Sequence, residues 1–213
     1  KIINETKEEL ETELGALNVI YTLLDKKNKL IYVGEAKDIR KRLKKAKAKL
    51  IRKTFLQKRH TYNLPNGHRV KHGWARVRND GGQITLSIKM ITGKKISDQK
   101  EICLNVDNYD DANQILQILG CKQKAYQETK RELWKLGSTE ITIDEWPFLE
   151  PFIEIEGKSK KKVKEVVTKL DFNYNEGIIG AVDELYAKKY NISKYRINNK
   201  TPKIVFKMKN PFI

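Results

Sequence analysis

Residues 140–156 read EITIDEWPFLEPFIEIE, two strand-like runs at 140–146 and 152–156 joined across Pro147 to Pro151. Side chains alternate faces along a strand, so Glu140, Thr142 and Asp144 share one face while Ile141 and Ile143 take the other. The second run repeats the pattern, with Glu154 and Glu156 opposite Ile153 and Ile155. Carboxylates gathered on one side of neighbouring strands raise each other's pKa unless something cationic sits between them. Hard divalent cations take such oxygen ligands, usually one or two carboxylates plus substrate phosphates. A solvated acidic face is the bland alternative, and the other strands weigh against it.

Working outward, HGWARVRND (72–80) sets His72, Trp74, Arg76 and Arg78 on one face. QITLSIKM (83–90) sets Thr85, Ser87 and Lys89 opposite Ile84, Leu86, Ile88 and Met90, and QKEICLNV (99–106) sets Glu101 and Cys103 opposite Ile102, Leu104 and Val106. IRKTFLQKRHTYNLP (51–65), ended by Pro65 and the Asn66-Gly67 turn, and AYQETKRELWKL (125–136), carrying Lys130 and Arg131, are further strand candidates. Arg76, Arg78, Lys89 and Arg131 thus meet Glu101, Asp144, Glu154 and Glu156 on one set of faces. An α+β fold uses both sets: an eight-stranded antiparallel barrel, closed or nearly so, with a polar tunnel inside and helices padding the outside. Helices at 109–119, 159–170 (capped by Ser159) and about 181–190 supply the padding.

Ahead of the barrel, residues 1–17 predict a short helix, 18–34 a β-hairpin around DKKNK, and 36–50 a basic helix with Ile39, Leu43 and Ala46 along one face. Two units follow, 1–45 and 46–213. The chain has 213 residues, 39% hydrophobic and 33% charged, without an apolar run long enough to span a membrane. Two cysteines, Cys103 and Cys121, argue against a disulfide framework and lead us to expect a cytoplasmic protein without a signal peptide. A net charge of +17 favours a polyanionic partner: nucleic acid, an anionic membrane or a polyphosphate.

Two resemblances sharpen this. Val19-Ile20-Tyr21, Tyr32-Val33-Gly34 and Arg42 in GEAKDIRKRL resemble the start of a GIY-YIG nuclease module over about residues 16–45. In that family the tyrosines (here Tyr21 and Tyr32) and the arginine (Arg42) serve phosphodiester hydrolysis beside a glutamate-bound metal. The later helix carrying that glutamate has no counterpart, so no nuclease activity is expected. WARVR, LSIK, ETKREL, TIDEW, FIEIEG and VDELYAKKYN, in this order, resemble the CYTH superfamily of triphosphate tunnel metalloenzymes over about residues 43–213, and class IV adenylate cyclases among them. The family's opening strand carries E-x-E-x-K, for which Val33-Gly34-Glu35-Ala36-Lys37 is the candidate here, with Glu35 and Lys37 in place and valine at the first glutamate.

The resemblance implies roles. Arg76, Arg78, Lys89 and Arg131, with Lys130 as a weaker candidate, bind phosphates, because planar permanent cations suit a triphosphate. Glu154 and Glu156, helped by Asp144 and Glu101, hold Mg2+ or Mn2+. The substrate is a nucleoside triphosphate or inorganic triphosphate. The reaction is cyclisation of ATP to cyclic AMP and pyrophosphate, or triphosphate hydrolysis. Trp74, Tyr62 and Trp134 are candidates to line a base pocket, against the commoner role of aromatics in a core. His60, His68 and His72 have no cysteine pair or fixed spacing to suggest zinc. The alternatives are a DNA-binding or nuclease protein acting through the basic N-terminal segment, and a non-catalytic tunnel that binds polyphosphate.

Overall fold

Alternation of apolar and polar residues becomes one large sheet in the computed structural model, which describes residues 17–22, 36–70, 73–91, 99–157, 159–179 and 181–213. Its eight longer strands are β1 (Leu17–Thr22), β2 (Lys49–Asn63), β3 (Trp74–Asn79), β4 (Ile84–Ile91), β5 (Gln99–Val106), β6 (Lys122–Leu136), β7 (Thr139–Glu145) and β8 (Phe152–Gly157). Two short strands, β9 (Ile178–Ile179) and β10 (Lys203–Ile204), complete it. The order is β5-β4-β3-β2-β6-β7-β8-β1-β9, antiparallel throughout, while β10 lies parallel to β6. Among the described residues the end strands β5 and β9 do not pair with each other, so the barrel is nearly closed rather than shut. Register shifts along the β2–β6 ladder, near Arg52 and between Thr61 and Tyr62, bend these two long strands.

Outside the sheet lie two apolar layers. Helix α1 (Ala36–Lys45) sends Ile39 and Leu43, and helix α3 (Lys160–Lys169) sends Val163, Val166 and Val167, onto Trp134, Ile141, Ile143, Ile153 and Ile155 of β6–β8. Leu43, Ile141, Ile153 and Ile155 are fully buried, each contributing roughly 2 kcal/mol of transfer free energy. Helix α2 (Tyr109–Ile118) covers β2–β4, where Tyr62, Ala75, Val77, Ala112 and Leu116 pack. Asn108 caps α2 by accepting from the amides of Asp110 and Asp111, and Gly120 closes it in the left-handed region at φ 85°. Ser159 caps α3 as expected, accepting from Lys162 N. Helices α4 (Asp183–Tyr190) and α5 (Lys194–Asn199) pack with β10 and Phe212 around Trp146 and Phe152.

Several boundaries differ from the sequence expectation. The basic helix stops at Lys45, not residue 50: Ala48 N donates to Leu43 O at 2.9 Å, Lys47 turns left-handed at φ 61°, and β2 starts at Lys49. The helix at 194–199 and the two short strands were not anticipated. The expected helix 1–17 falls outside the described residues except for Leu17, which opens β1, and so does the second half of the 18–34 hairpin, with Tyr32 and Glu35. Strand β1 runs against β8 from Leu17–Gly157 to Thr22–Phe152, so this ladder crosses the division expected at residue 45. Among the described residues, no helix is long and apolar enough to cross a membrane.

Candidate functional site

Alternation on β2, β3 and β6 brings arginines, and on β4 Lys89, to the inner face of the curled sheet. Arg59 stands opposite Arg78, Thr61 opposite Arg76, and Arg76 opposite Ser87. Lys89 stands opposite Glu101, which accepts from Arg76 at 3.1 Å and pairs with Lys89 at 3.2 Å. The carboxyl of Glu101 feels burial upward, but Lys89 and Arg76 hold it below its ordinary value. This is the cationic wall.

An acidic wall lies on β7 and β8. Thr142 is opposite Glu154 and Glu140 opposite Glu156. Arg131, on β6 beside them, donates from Nε and NH2 to the two oxygens of Asp144, both at 2.7 Å, and from NH2 to Glu154 at 2.8 Å. Asp144 is only 1% exposed and also accepts from Thr142, so its oxygens are taken. Burial pushes Glu154 up to about 7, with Asp144 and Glu156 adding to the rise and Arg131 opposing it. Glu156 is raised by burial and then by Glu140, and it makes no hydrogen bond or ion pair among the described residues. The fields of Lys89 and Glu101 reach Glu156, although β4 and β5 stand far from β8 in strand order. The sheet therefore curls until its two walls face each other.

The predicted residues divide accordingly. Arg76, Arg78 and Lys89 lie on the cationic wall, Glu154 and Glu156 on the acidic one, and Arg131 joins them. Glu101 sits among the cations, because the register sets it beside Lys89, and is not placed with the other acids. Lys130 points away from Arg131, as adjacent strand residues must, pairing with Glu145 at 3.0 Å and lying over the Phe206 ring at 4.5 Å. Arg42 is on the outer side of the sheet, donating to the carbonyls of Leu170 (3.2 Å) and Asp171 (3.0 Å) at the end of α3. Lys37 falls in the first turn of α1, so Val33–Lys37 is not a strand at its end, and Tyr21 lies in β1. Trp134 and Tyr62 belong to the outer apolar layers, while Trp74 shares the face of Arg76 by register.

One residue escaped the sequence reading. Arg59 donates to Thr129 Oγ1 at 2.6 Å and Gln57 Oε1 at 3.3 Å, and its guanidinium lies 4.7 Å over Trp146. Burial, then Arg76, Arg131 and Arg78, press it down to about 9; burial and Arg78 press Arg76 to about 10. Both remain cationic at neutral pH, in a cluster that repels itself. The Nε–H groups of Arg59 and Arg76 are buried without partners among the described residues. A tetrahedral polyanion would relieve both costs.

Metal fit rests on Glu154 and Glu156. Among the described residues no three His, Cys, Asp or Glu side chains converge on one point. The β1–β8 register sets Asn18 opposite Glu156 and Ile20 opposite Glu154, so β1 adds no acid there. Two part-buried carboxylates, one of them without a hydrogen bond or ion pair among the described residues, suit a cation that completes its shell with phosphate oxygens and water.

A sequence profile described as CYTH domain matches residues 26–184. Similar solved structures include a candidate adenylate cyclase of Vibrio parahaemolyticus (10% identity, TM-score 0.65, covering 83% of this chain and 99% of that one). The PH1012 protein of Pyrococcus horikoshii is 18% identical with TM-score 0.61, covering 78% and 96%, and the PH1819 protein of the same organism is 20% identical with TM-score 0.57, covering 82% and 99%. These likenesses are of fold. No curated protein matches the sequence.

Proposed function

Because the chain belongs to the CYTH domain family, its profile matching residues 26–184, we propose that the polar inner face of the curled sheet is a triphosphate site and that the protein hydrolyses a triphosphate with the help of a divalent cation. One observation carries this: a wall of guanidinium and ammonium groups faces a wall of part-buried carboxylates, with Arg131 between them. Arg76, Arg78, Lys89 and Arg131 bind and orient the phosphate chain, and the Arg76 Nε–H, without a partner among the described residues, supports that role. Glu154 and Glu156 would hold Mg2+ or Mn2+, which when bound neutralises charge on the phosphate oxygens. Asp144 positions Arg131 rather than touching the cation. In the balanced reaction water adds to a terminal phosphorus, the bridging P–O bond breaks, and orthophosphate leaves together with pyrophosphate from tripolyphosphate or with the nucleoside diphosphate from a nucleoside triphosphate, the water's protons passing to the products and solvent.

Cyclisation of ATP asks the cavity to fix base and ribose as well. Tyr62 and Trp134 are committed to the outer cores, which leaves Trp74 as the aromatic candidate on the cavity face. Hydrolysis is therefore the reading we adopt. Incubation with tripolyphosphate or ATP and Mg2+ or Mn2+, followed by product identification, tests it. Orthophosphate release that is lost in Glu156→Gln supports hydrolysis. Cyclic AMP would establish the cyclase instead, and no product with tight tripolyphosphate binding would leave a non-catalytic polyphosphate receptor.

A further inference from the structure

The sheet carries positive charge on its outer side as well, away from the residues assigned to the triphosphate. Residues 36–49 hold eight lysines and arginines against one acid, and residues 160–172 hold five lysines against two acids. Helices α1 and α3 fall in these stretches. They bury their apolar stripes, Ile39 and Leu43 on one and Val163, Val166 and Val167 on the other, against the outer side of β6–β8. With that side of each helix occupied by the core, the helical period turns the lysines to solvent. Lys41, Lys44 and Lys45 of α1 and Lys161, Lys162 and Lys169 of α3 are all exposed. The helices meet at their C-terminal ends, where Arg42 donates to the carbonyls of Leu170 and Asp171 and Lys45 lies 3.9 Å from Asp171. Their lysines therefore belong to one basic surface.

Helix stability does not account for this surface. The N-terminal end of a helix is electropositive and favours acids in its first turn. The first turn of α3 has none; Lys160, Lys161 and Lys162 stand there, after the Ser159 cap. Ion pairing does not account for it either. The pairs Lys41–Asp38 (3.4 Å), Lys45–Asp171 (3.9 Å) and Lys162–Glu165 (3.2 Å) are solvent-exposed and contribute little. Lys44, Lys161 and Lys169 have no ion pair among the described residues. Like charges gathered against local preference are relieved by a polyanion that brings many phosphates at once.

We propose that the lysines of α1 and α3 form a docking surface for double-stranded nucleic acid, held through its phosphate backbone without regard to base sequence. Glu154 alternates with Ile153 and Ile155, whose side chains meet the two helices, so the duplex lies across the sheet from the acidic wall. A single strand is held by stacking its bases on aromatic rings, and neither AKDIRKRLKK of α1 nor KKKVKEVVTK of α3 contains one. An anionic bilayer is bound by a helix whose apolar side enters the headgroup region, and here both apolar sides are buried. Rows of lysine alone suit a rigid, densely charged backbone.

The test is fluorescence anisotropy of a labelled mixed-sequence DNA duplex titrated with the intact chain over a series of NaCl concentrations. Wild type is expected to bind, with log affinity falling linearly against log salt at a slope of about −4 or steeper, as about five phosphate contacts require. Lys44→Glu/Lys45→Glu on α1 and Lys161→Glu/Lys162→Glu on α3 should each weaken binding about tenfold or more and make the slope shallower. The α3 variant places acids where the helix end favours them, so it should melt no lower than wild type, which separates its effect from loss of the fold. Lys207→Glu/Lys209→Glu removes the same charge from exposed lysines near the C-terminus and should change affinity by less than about threefold, because distant charges are screened. Absence of duplex binding at low salt overturns the proposal. Equal weakening by all three variants also overturns it, showing bulk charge without a site. Tighter binding to the single strand than to the duplex, or binding to phosphatidylserine-containing vesicles and not to the duplex, overturns it in favour of those partners.

Discussion

Arg131 donates to Glu154 at 2.8 Å, yet the carboxyl of Glu154 still sits up near 7 because burial and the neighbouring Asp144 and Glu156 outweigh that contact. A folded-state pKa above the ordinary carboxyl value means that the native state keeps a proton the unfolded chain releases. The associated stability is fully present below the ordinary carboxyl range and is lost as pH rises through about 7. In chelator, melting temperature should therefore fall between about pH 4.5 and 7. Glu154→Gln should flatten this decline and melt a few degrees above wild type at pH 8. A glutamine variant with the same pH slope would show that Glu154 is not the group responsible.

Removing the other partner should do the reverse. Arg131→Met leaves Asp144, only 1% exposed, and the part-buried Glu154 without their cation, at a cost of about 3–5 kcal/mol. Urea unfolding should record that loss, and adding Asp144→Asn to the same chain should recover part of it.

Two acids and no more at the β1–β8 ladder imply a cation site that depends on substrate. Mn2+ titrated into the protein alone should bind weakly, and tripolyphosphate should tighten it at least tenfold. Asn18→Glu, opposite Glu156, should tighten Mn2+ binding without tripolyphosphate. Equal Mn2+ affinity with and without tripolyphosphate would contradict this arrangement.

Arg42 has a structural task on the far side of the sheet. It caps the carbonyls at the end of α3 and lies 5.2 Å over Phe172. Arg42→Ala should cost about 1 kcal/mol in chemical denaturation and leave triphosphate turnover unchanged. Metal-dependent plasmid nicking that vanished in this variant would restore the nuclease reading.

Much of the site was legible because β3, β4, β7 and β8 alternate cleanly. Their apolar faces are so marked that Arg76, Lys89, Glu154 and Glu156 could be assigned a side without a structure. Arg59 was not legible for the opposite reason. In RKTFLQKRH basic residues occupy both faces of β2, as Lys58 and Arg59 show, and the register shifts break the period of two. Lys130 was credited with its neighbour's role although alternation sets the pair on opposite faces. Glu101 was grouped with the acids because alternation gives a face and says nothing of which strand lies beside it. The GIY-YIG-like Val19-Ile20-Tyr21 lies in β1, hydrogen-bonded to β8 and β9, a partnership of distant segments that no local pattern encodes.

The facing walls also act on whatever approaches the mouth. Positive charge gathers on β2–β4 and negative charge on β7 and β8, so a field runs across the inner face from one wall to the other. A bare polyanion entering it is pulled towards one side and pushed from the other, and a bare cation feels the reverse. A triphosphate already carrying its cation aligns with both sides at once. On the reading proposed above, the species that suits both walls is the triphosphate paired with its cation, and surplus free metal or surplus free triphosphate should each act as an inhibitor.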